Sequence, residues 1–100
     1  MILLTIMDQA KKPAKFCILY EKYKYLLQKV AMDILHDSYL AEDAVQNAFI
    51  KIADNMEKIG EIESRQTKSY IIAITKNAAK DIWRKRNRQK DSEYRPNESE

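Results

Sequence analysis

The chain has 100 residues but only one glycine, two prolines, one cysteine and one histidine. Few turn formers among abundant Lys, Glu, Ala, Ile and Leu disfavour a many-stranded β fold, and the 45% hydrophobic content is enough to build a helical core. Cys17 excludes an intrachain disulfide, and with His36 alone beside it the usual four-ligand zinc site cannot form. A reducing, cytoplasmic setting is expected. Long apolar runs are missing too. Met1 to Met7 stops at Asp8, far short of the roughly 20 residues of a membrane span, and no small-residue cleavage site follows. A loosely packed first turn is expected there, with no membrane partner. The sequence also lacks a Gly-rich phosphate loop, a Ser or Cys paired with His, and a convergent carboxylate pair. Glu42 and Asp43 are adjacent, so on a helix they point about 100° apart. Neither enzyme activity nor a cofactor is expected. A chain of this length makes one small domain.

What is present is an uneven charge. Residues 1–64 carry eight Lys/Arg against ten Asp/Glu, residues 65–90 carry nine against the single acid Asp81, and residues 91–100 return to net −3. A basic segment beside a mildly acidic body points to an anionic partner for one surface, with nucleic acid the first candidate; a solvated lysine-rich helix is the plainer alternative.

Apolar spacing predicts three helices. Pro13 can open the first, and Phe16, Leu19, Tyr20, Tyr23, Leu27, Val30 and Ile34 recur at three- and four-residue steps to about Leu35. Asp37 or Ser38 can cap the second, with Glu42 and Asp43 in its opening turns. His36 reads as a surface or capping residue of the turn between them. The second helix repeats Ala41, Val45, Ala48, Phe49, Ile52, Met56 and Ile59 and is expected to stop at Gly60 as C-cap. GEIESRQT, from Gly60 to Thr67, reads as an exposed, mobile loop. The third helix is expected from about Lys68 to Arg88, and the charge, Ser and Pro of DSEYRPNESE mark residues 91–100 as a flexible acidic tail or linker.

Two helix faces exceed what a core requires. On the second helix, Asp43, Gln46, Asn47 and Ile50 share one face, the edge of a protein-binding patch. On the third, Ala73, Lys76, Asn77, Lys80, Arg84 and Asn87 or Arg88 lie opposite Ile71, Ile74, Ala78 and Ile82, with Lys85, Arg86 and Lys90 thickening the far end. Lysine and arginine neutralise phosphates while asparagine hydrogen-bonds base edges, so this stripe combines positioning with sequence reading. Tyr70 and Trp83 add aromatic faces on which single-stranded bases stack. Core packing competes for Tyr70, and Trp83 stands open between tail packing and DNA.

The run DSYLAEDAVQNAFIKI, a loop, and then KSYIIAITKNAAKDIWRKRNR resembles region 2 of the bacterial sigma-70 family, most of all its small extracytoplasmic-function and similar alternative members. The similarity covers about Phe16 to Arg88, centred on AEDAVQNAF and, about 25 residues on, ITKNAAKDI. It implies an all-α bundle of three main helices that binds RNA polymerase core and recognises and melts the minus-ten promoter element. The family's second helix grips the clamp helices of the polymerase's largest subunit through D-x-x-Q, here Asp43 and Gln46, with Asn47 where an acid is common and Ile50 and Ala53 nearby. Ala53 stands where tryptophan is frequent. The third helix and preceding loop meet the non-template single strand, one unstacked base being held near the loop. The resemblance places Lys76, Asn77 and Lys80 on that face and Arg65, Lys68, Arg84, Lys85 and Arg88 at phosphates, and Tyr70 is counted with them as a DNA-binding candidate for its aromatic face. An anti-sigma factor is a further partner of such proteins.

Tyr70 is the only aromatic residue between Arg65 and Ile82, where housekeeping members carry a cluster, so stringent, regulon-specific promoters are the expected targets. The organisation read from the chain is residues 1–12 of unassigned role, a region 2 domain over 13–90, and the tail over 91–100. No part of it fits the helix-turn-helix domain that reads the minus-thirty-five element, so a fragment or an incomplete factor is expected. Two other readings stay open. One is a helix-turn-helix regulator of duplex DNA, although its recognition helix is usually short and follows a tight turn; the other is a helical module whose basic stripe binds an acidic protein.

Overall fold

Proline opens a helix without loss because its missing N–H falls among donors that the first turn leaves unpaired. In the computed structural model, which describes the backbone of residues 12–94 and the side chains of residues 12–87, α1 accordingly runs Pro13–Leu35. The N-terminal segment with Met1 to Met7, and residues 95–100 of the expected tail, lie outside the described residues. Phe16, Leu19, Tyr23, Leu27, Ala31 and Leu35 form the buried face of α1. The helix stops where His36 turns left-handed at φ 54° and donates its N–H to the Met32 carbonyl at 2.8 Å. Asparagine or glycine usually fills such a position.

Of the two candidate caps for α2 (Ser38–Asp54), Asp37 takes the role: its backbone is extended and its carboxylate accepts the Leu40 N–H at 3.1 Å. Ser38 is the first helical residue. Ala41, Ala44, Val45, Ala48, Phe49, Ile52 and Ala53 are buried, and the Phe49 ring meets Phe16 edge-on at 6.0 Å and Tyr20 at 4.7 Å. Such aromatic pairs add about 0.5–1.5 kcal/mol beyond their burial.

The second helix does not reach Gly60. It ends at Asp54, and a single 3₁₀ turn, Met56–Lys58, then keeps Met56 and Ile59 in the core. Gly60 has no positive φ and caps nothing. The segment beyond it is largely exposed, as its polarity predicts, with Glu61, Glu63, Arg65 and Gln66 open to solvent, but hydrogen bonds tie it to the bundle. Lys15 Nζ donates to the Ile59 carbonyl at 2.7 Å, Tyr23 Oη to that of Ile62 at 2.8 Å, and Thr67 Oγ1 to that of Glu61 at 2.7 Å. Ser64 Oγ accepts the Thr67 N–H at 3.1 Å and thereby caps the third helix.

That helix, α3, spans Arg65–Tyr94, beginning three residues before the expected Lys68 and continuing past Arg88. Its buried strip is Thr67, Ile71, Thr75 and Ala79, with Ile74, Ala78 and Ile82 half-buried on the flank. Periodicity of apolar residues alone misplaced this strip because two of its members are threonines. The buried Thr75 Oγ1 donates back to the Ile71 carbonyl at 2.9 Å, so no hydroxyl is stranded. Each helix packs on both others, and Arg86 of α3 lies 3.8 Å from the Asp37 carboxylate, tying α3 to the α1–α2 turn.

Two substitutions probe this packing. A Cβ on Gly60 would meet nothing within 4 Å, so Gly60→Ala should raise stability by about 0.4–1 kcal/mol in urea unfolding through the unfolded chain's lost freedom; a loss would restore its capping role. Tyr23→Phe removes the bond to Ile62 and should cost about 0.5–1.5 kcal/mol. Hydrogen exchange at the Ser64 amide, which donates to Glu61, should quicken in the same variant. Unchanged exchange would show that Tyr23 does not hold the loop.

Candidate nucleic-acid interface

On α3, residues four apart stack on one face, and Lys76, Lys80 and Arg84 follow that rule. All three are exposed, opposite the strip of Ile71, Thr75 and Ala79, and form an outer cationic ridge. Asn77, also exposed, stands at the edge of that ridge nearest α2. Arg84 holds the Asp81 carboxylate at 2.8 Å, an exposed pair worth little to stability but sufficient to occupy the only acid among residues 65–90.

The remaining residues expected on α3 do not form one stripe. Lys68 is nine positions before Asn77, about two and a half turns, and so points to the opposite side of the helix. Arg65 is not a loop residue but the first residue of α3, exposed like Lys68. Lys85 turns inward past the end of the core and faces α2. Tyr70 packs half-buried against the core, and its remaining surface lines the space beside Asn77. Trp83 is 51% exposed. The backbone of Arg88 is helical, but its side chain lies outside the described residues.

On α2, Asp43, Asn47 and Ile50 are exposed and Gln46 is half-buried, which leaves the whole expected face within reach of a partner. Ile50 shows 46% of its surface. Ala53, in line with Gln46 on the helix, is only 4% exposed and packs into the core.

Between α2 and α3 runs a groove of about 430 Å³. Asn47, Lys51, Asn55 and Lys58 form one wall; Tyr70, Ile74, Asn77, Ala78, Asp81, Ile82 and Lys85 form the other. Asn47 therefore borders both the face on α2 and the groove. Lys51, Asn55 and Lys58 were missed in the sequence, although their steps of four and three match a helical stripe. Counting charge by segment hid them, because residues 1–64 carry a net negative charge. The Asn55 side-chain nitrogen donates to the Lys51 carbonyl at 2.8 Å, fixing the wall where α2 ends.

Among the described residues no three His, Cys, Asp or Glu side chains are grouped to hold a metal ion, and no helix is long and apolar enough to cross a membrane. A search among curated proteins and one among solved structures returned no match. The family model for sigma-70 region 2 does match, over residues 19–89, from the buried face of α1 through α2 to the far half of α3. The chain accordingly belongs to the sigma-70 family as a region 2 domain, a non-enzymatic transcription-initiation module that binds RNA polymerase and recognises promoter DNA.

Proposed function

We propose that α2 docks this domain on the clamp helices of the polymerase's largest subunit while α3 captures the non-template strand of the minus-ten element as the duplex opens. The observation that carries this reading is the placement of two exposed faces on different helices: Asp43, Gln46, Asn47 and Ile50 on α2, and Lys76, Asn77, Lys80 and Arg84 on α3. One domain then holds both partners at once. Acid, amides and an apolar side chain suit a protein surface, whereas a ridge of cations beside an amide suits phosphates and base edges.

Opening requires a base to leave its stack at a cost of a few kcal/mol. Neutralised phosphates and stacking, about 1–3 kcal/mol per base, offset that cost without ATP chemistry. Only Tyr70 supplies an aromatic face between Arg65 and Ile82, and half of it is committed to the core. Little stacking energy is on offer, which favours a stringent alternative factor of the extracytoplasmic-function type, acting in the cytoplasm. Lys68 and Arg65 contact phosphates on a different side of α3 from Asn77, Lys85 does so from the groove, and Arg88 continues the basic end. An anti-sigma protein would silence the domain by covering either face.

Asp43→Ala combined with Gln46→Ala should abolish pull-down of polymerase core while the helical circular dichroism is retained; undiminished pull-down would refute the docking assignment. With the polymerase-bound full chain and short single strands, Lys80→Ala should weaken binding to all sequences and lower the salt slope by about 0.7. Asn77→Ala should instead alter which sequences a random pool yields. Tighter binding of duplex than of single strand without polymerase would favour a helix-turn-helix regulator.

A further inference from the structure

The groove between α2 and α3 brings Lys51, Lys58 and Lys85 together from three segments of the chain: the last turn of α2, the 3₁₀ turn and the far half of α3. Among the described residues none of the three forms an ion pair with a carboxylate, and the only acid in the lining, Asp81, is held by Arg84 at 2.8 Å. Lys51 alone has a plain explanation, since a cation in the last turn suits the helix dipole. The dipole of α2 explains neither Lys58 beyond its end nor Lys85 across the groove. Cations sharing one groove repel each other unless an anion lies between them. Asn47, Asn77 and Tyr70 add amide hydrogen-bonding groups and an aromatic surface to the same lining, and about 430 Å³ is within the range that accommodates a small organic ligand.

We propose that this groove is a nucleotide site on the α2 side of the strand path: it takes one phosphate of single-stranded DNA between Lys51, Lys58 and Lys85, with the attached base against Tyr70 and the asparagines. The inference rests on the reading of α3 as the strand-binding helix and extends that surface onto α2, apart from the loop-side base pocket that the family resemblance implies. It also makes α2 two-ended. Asp43, Asn47, Lys51 and Asn55 succeed one another at four-residue steps along one stripe, so a single helix face passes from an acidic, protein-facing end to a basic, nucleic-acid-facing one.

The test uses the full chain bound to polymerase core and a fluorescently labelled, random-sequence single strand. Lys51→Gln with Lys58→Gln should leave core association and helical content unchanged, because both side chains are exposed and lie beyond Ile50, the last docking residue. The same variant should weaken strand binding and lower the salt slope by about 1.4, or 0.7 for each lysine that no longer neutralises a phosphate. Lys85→Gln, on the opposite wall, should lower it by about 0.7 more. An unchanged slope in these variants, beside a lowered one in Lys80→Ala, would overturn the groove site and leave the reading of α3 standing. An unchanged slope in Lys80→Ala as well would bring down both. Loss of core association in Lys51→Gln with Lys58→Gln would give the groove to the polymerase and overturn the proposal.

Discussion

Among the described residues, full burial on α3 is confined to a strip one residue wide, Thr67, Ile71, Thr75 and Ala79, with Tyr70, Ile72, Ile74, Ala78 and Ile82 half-buried beside it. A helix with so few fully buried side chains depends on α1 and α2 for its place, and these supply most of the buried bulk through Phe16, Leu19, Leu27, Phe49 and Ile52. Each such side chain, fully buried, contributes about 1.5–3 kcal/mol. The two threonines are tolerated because each hydroxyl reaches a carbonyl, Thr67 that of Glu61 and Thr75 that of Ile71. A narrow strip leaves most of the circumference of α3 free, and that freedom is what lets the seven cations among its described side chains, from Arg65 to Arg86, all stay exposed. Beyond Ala79 no described side chain of α3 is fully buried, and Ile82 packs half-buried against the core.

The same economy shapes the neighbouring segments. Ser64 caps α3 and passes a hydrogen-bond chain through Thr67 to Glu61, while Tyr23 and Lys15 reach from α1 to the carbonyls of Ile62 and Ile59. The start of α3 is thereby set against α1, and its middle is set against α2 across the groove. Asp37 joins the remaining corner, capping α2 with one carboxylate oxygen and facing Arg86 with the other. Polar side chains, not further apolar bulk, orient the basic helix.

Much of this was legible in the residues. Pro13 and Leu35 bound α1 as their spacing predicts, every expected core position of α2 is buried, and the matched stretch 19–89 nearly coincides with the resemblance read from Phe16 to Arg88. On α3 the cause of the misreading is that hydrophobicity reports burial only when the buried residue is apolar. Thr67 and Thr75 read as surface, which shifted the inner face of α3 and delayed its start to Lys68. GEIESRQT read as free loop because the hydrogen bonds that hold it come from Lys15 and Tyr23, far away in sequence. Gly60 read as a cap because glycine commonly ends helices, whereas the chain had already left α2 at Asn55. The groove was invisible for a different reason: Lys51 and Lys58 meet Asn77 and Lys85 only after α2 and α3 pack.

The ridge of α3 has a thermodynamic side as well. Lys76, Lys80 and Arg84 follow one another at the spacing where like charges on a helix oppose its formation by about 0.2–0.5 kcal/mol per pair. The isolated domain therefore carries a self-repulsion that its own acids, Asp81 aside, do not relieve on that face. A polyanion laid along the ridge removes the penalty as it binds, and by linkage whatever it gains in affinity appears as added resistance of the helix to unfolding. Salt acts on the same repulsion in the other direction of use, strengthening the free domain while weakening its grip on a phosphate chain.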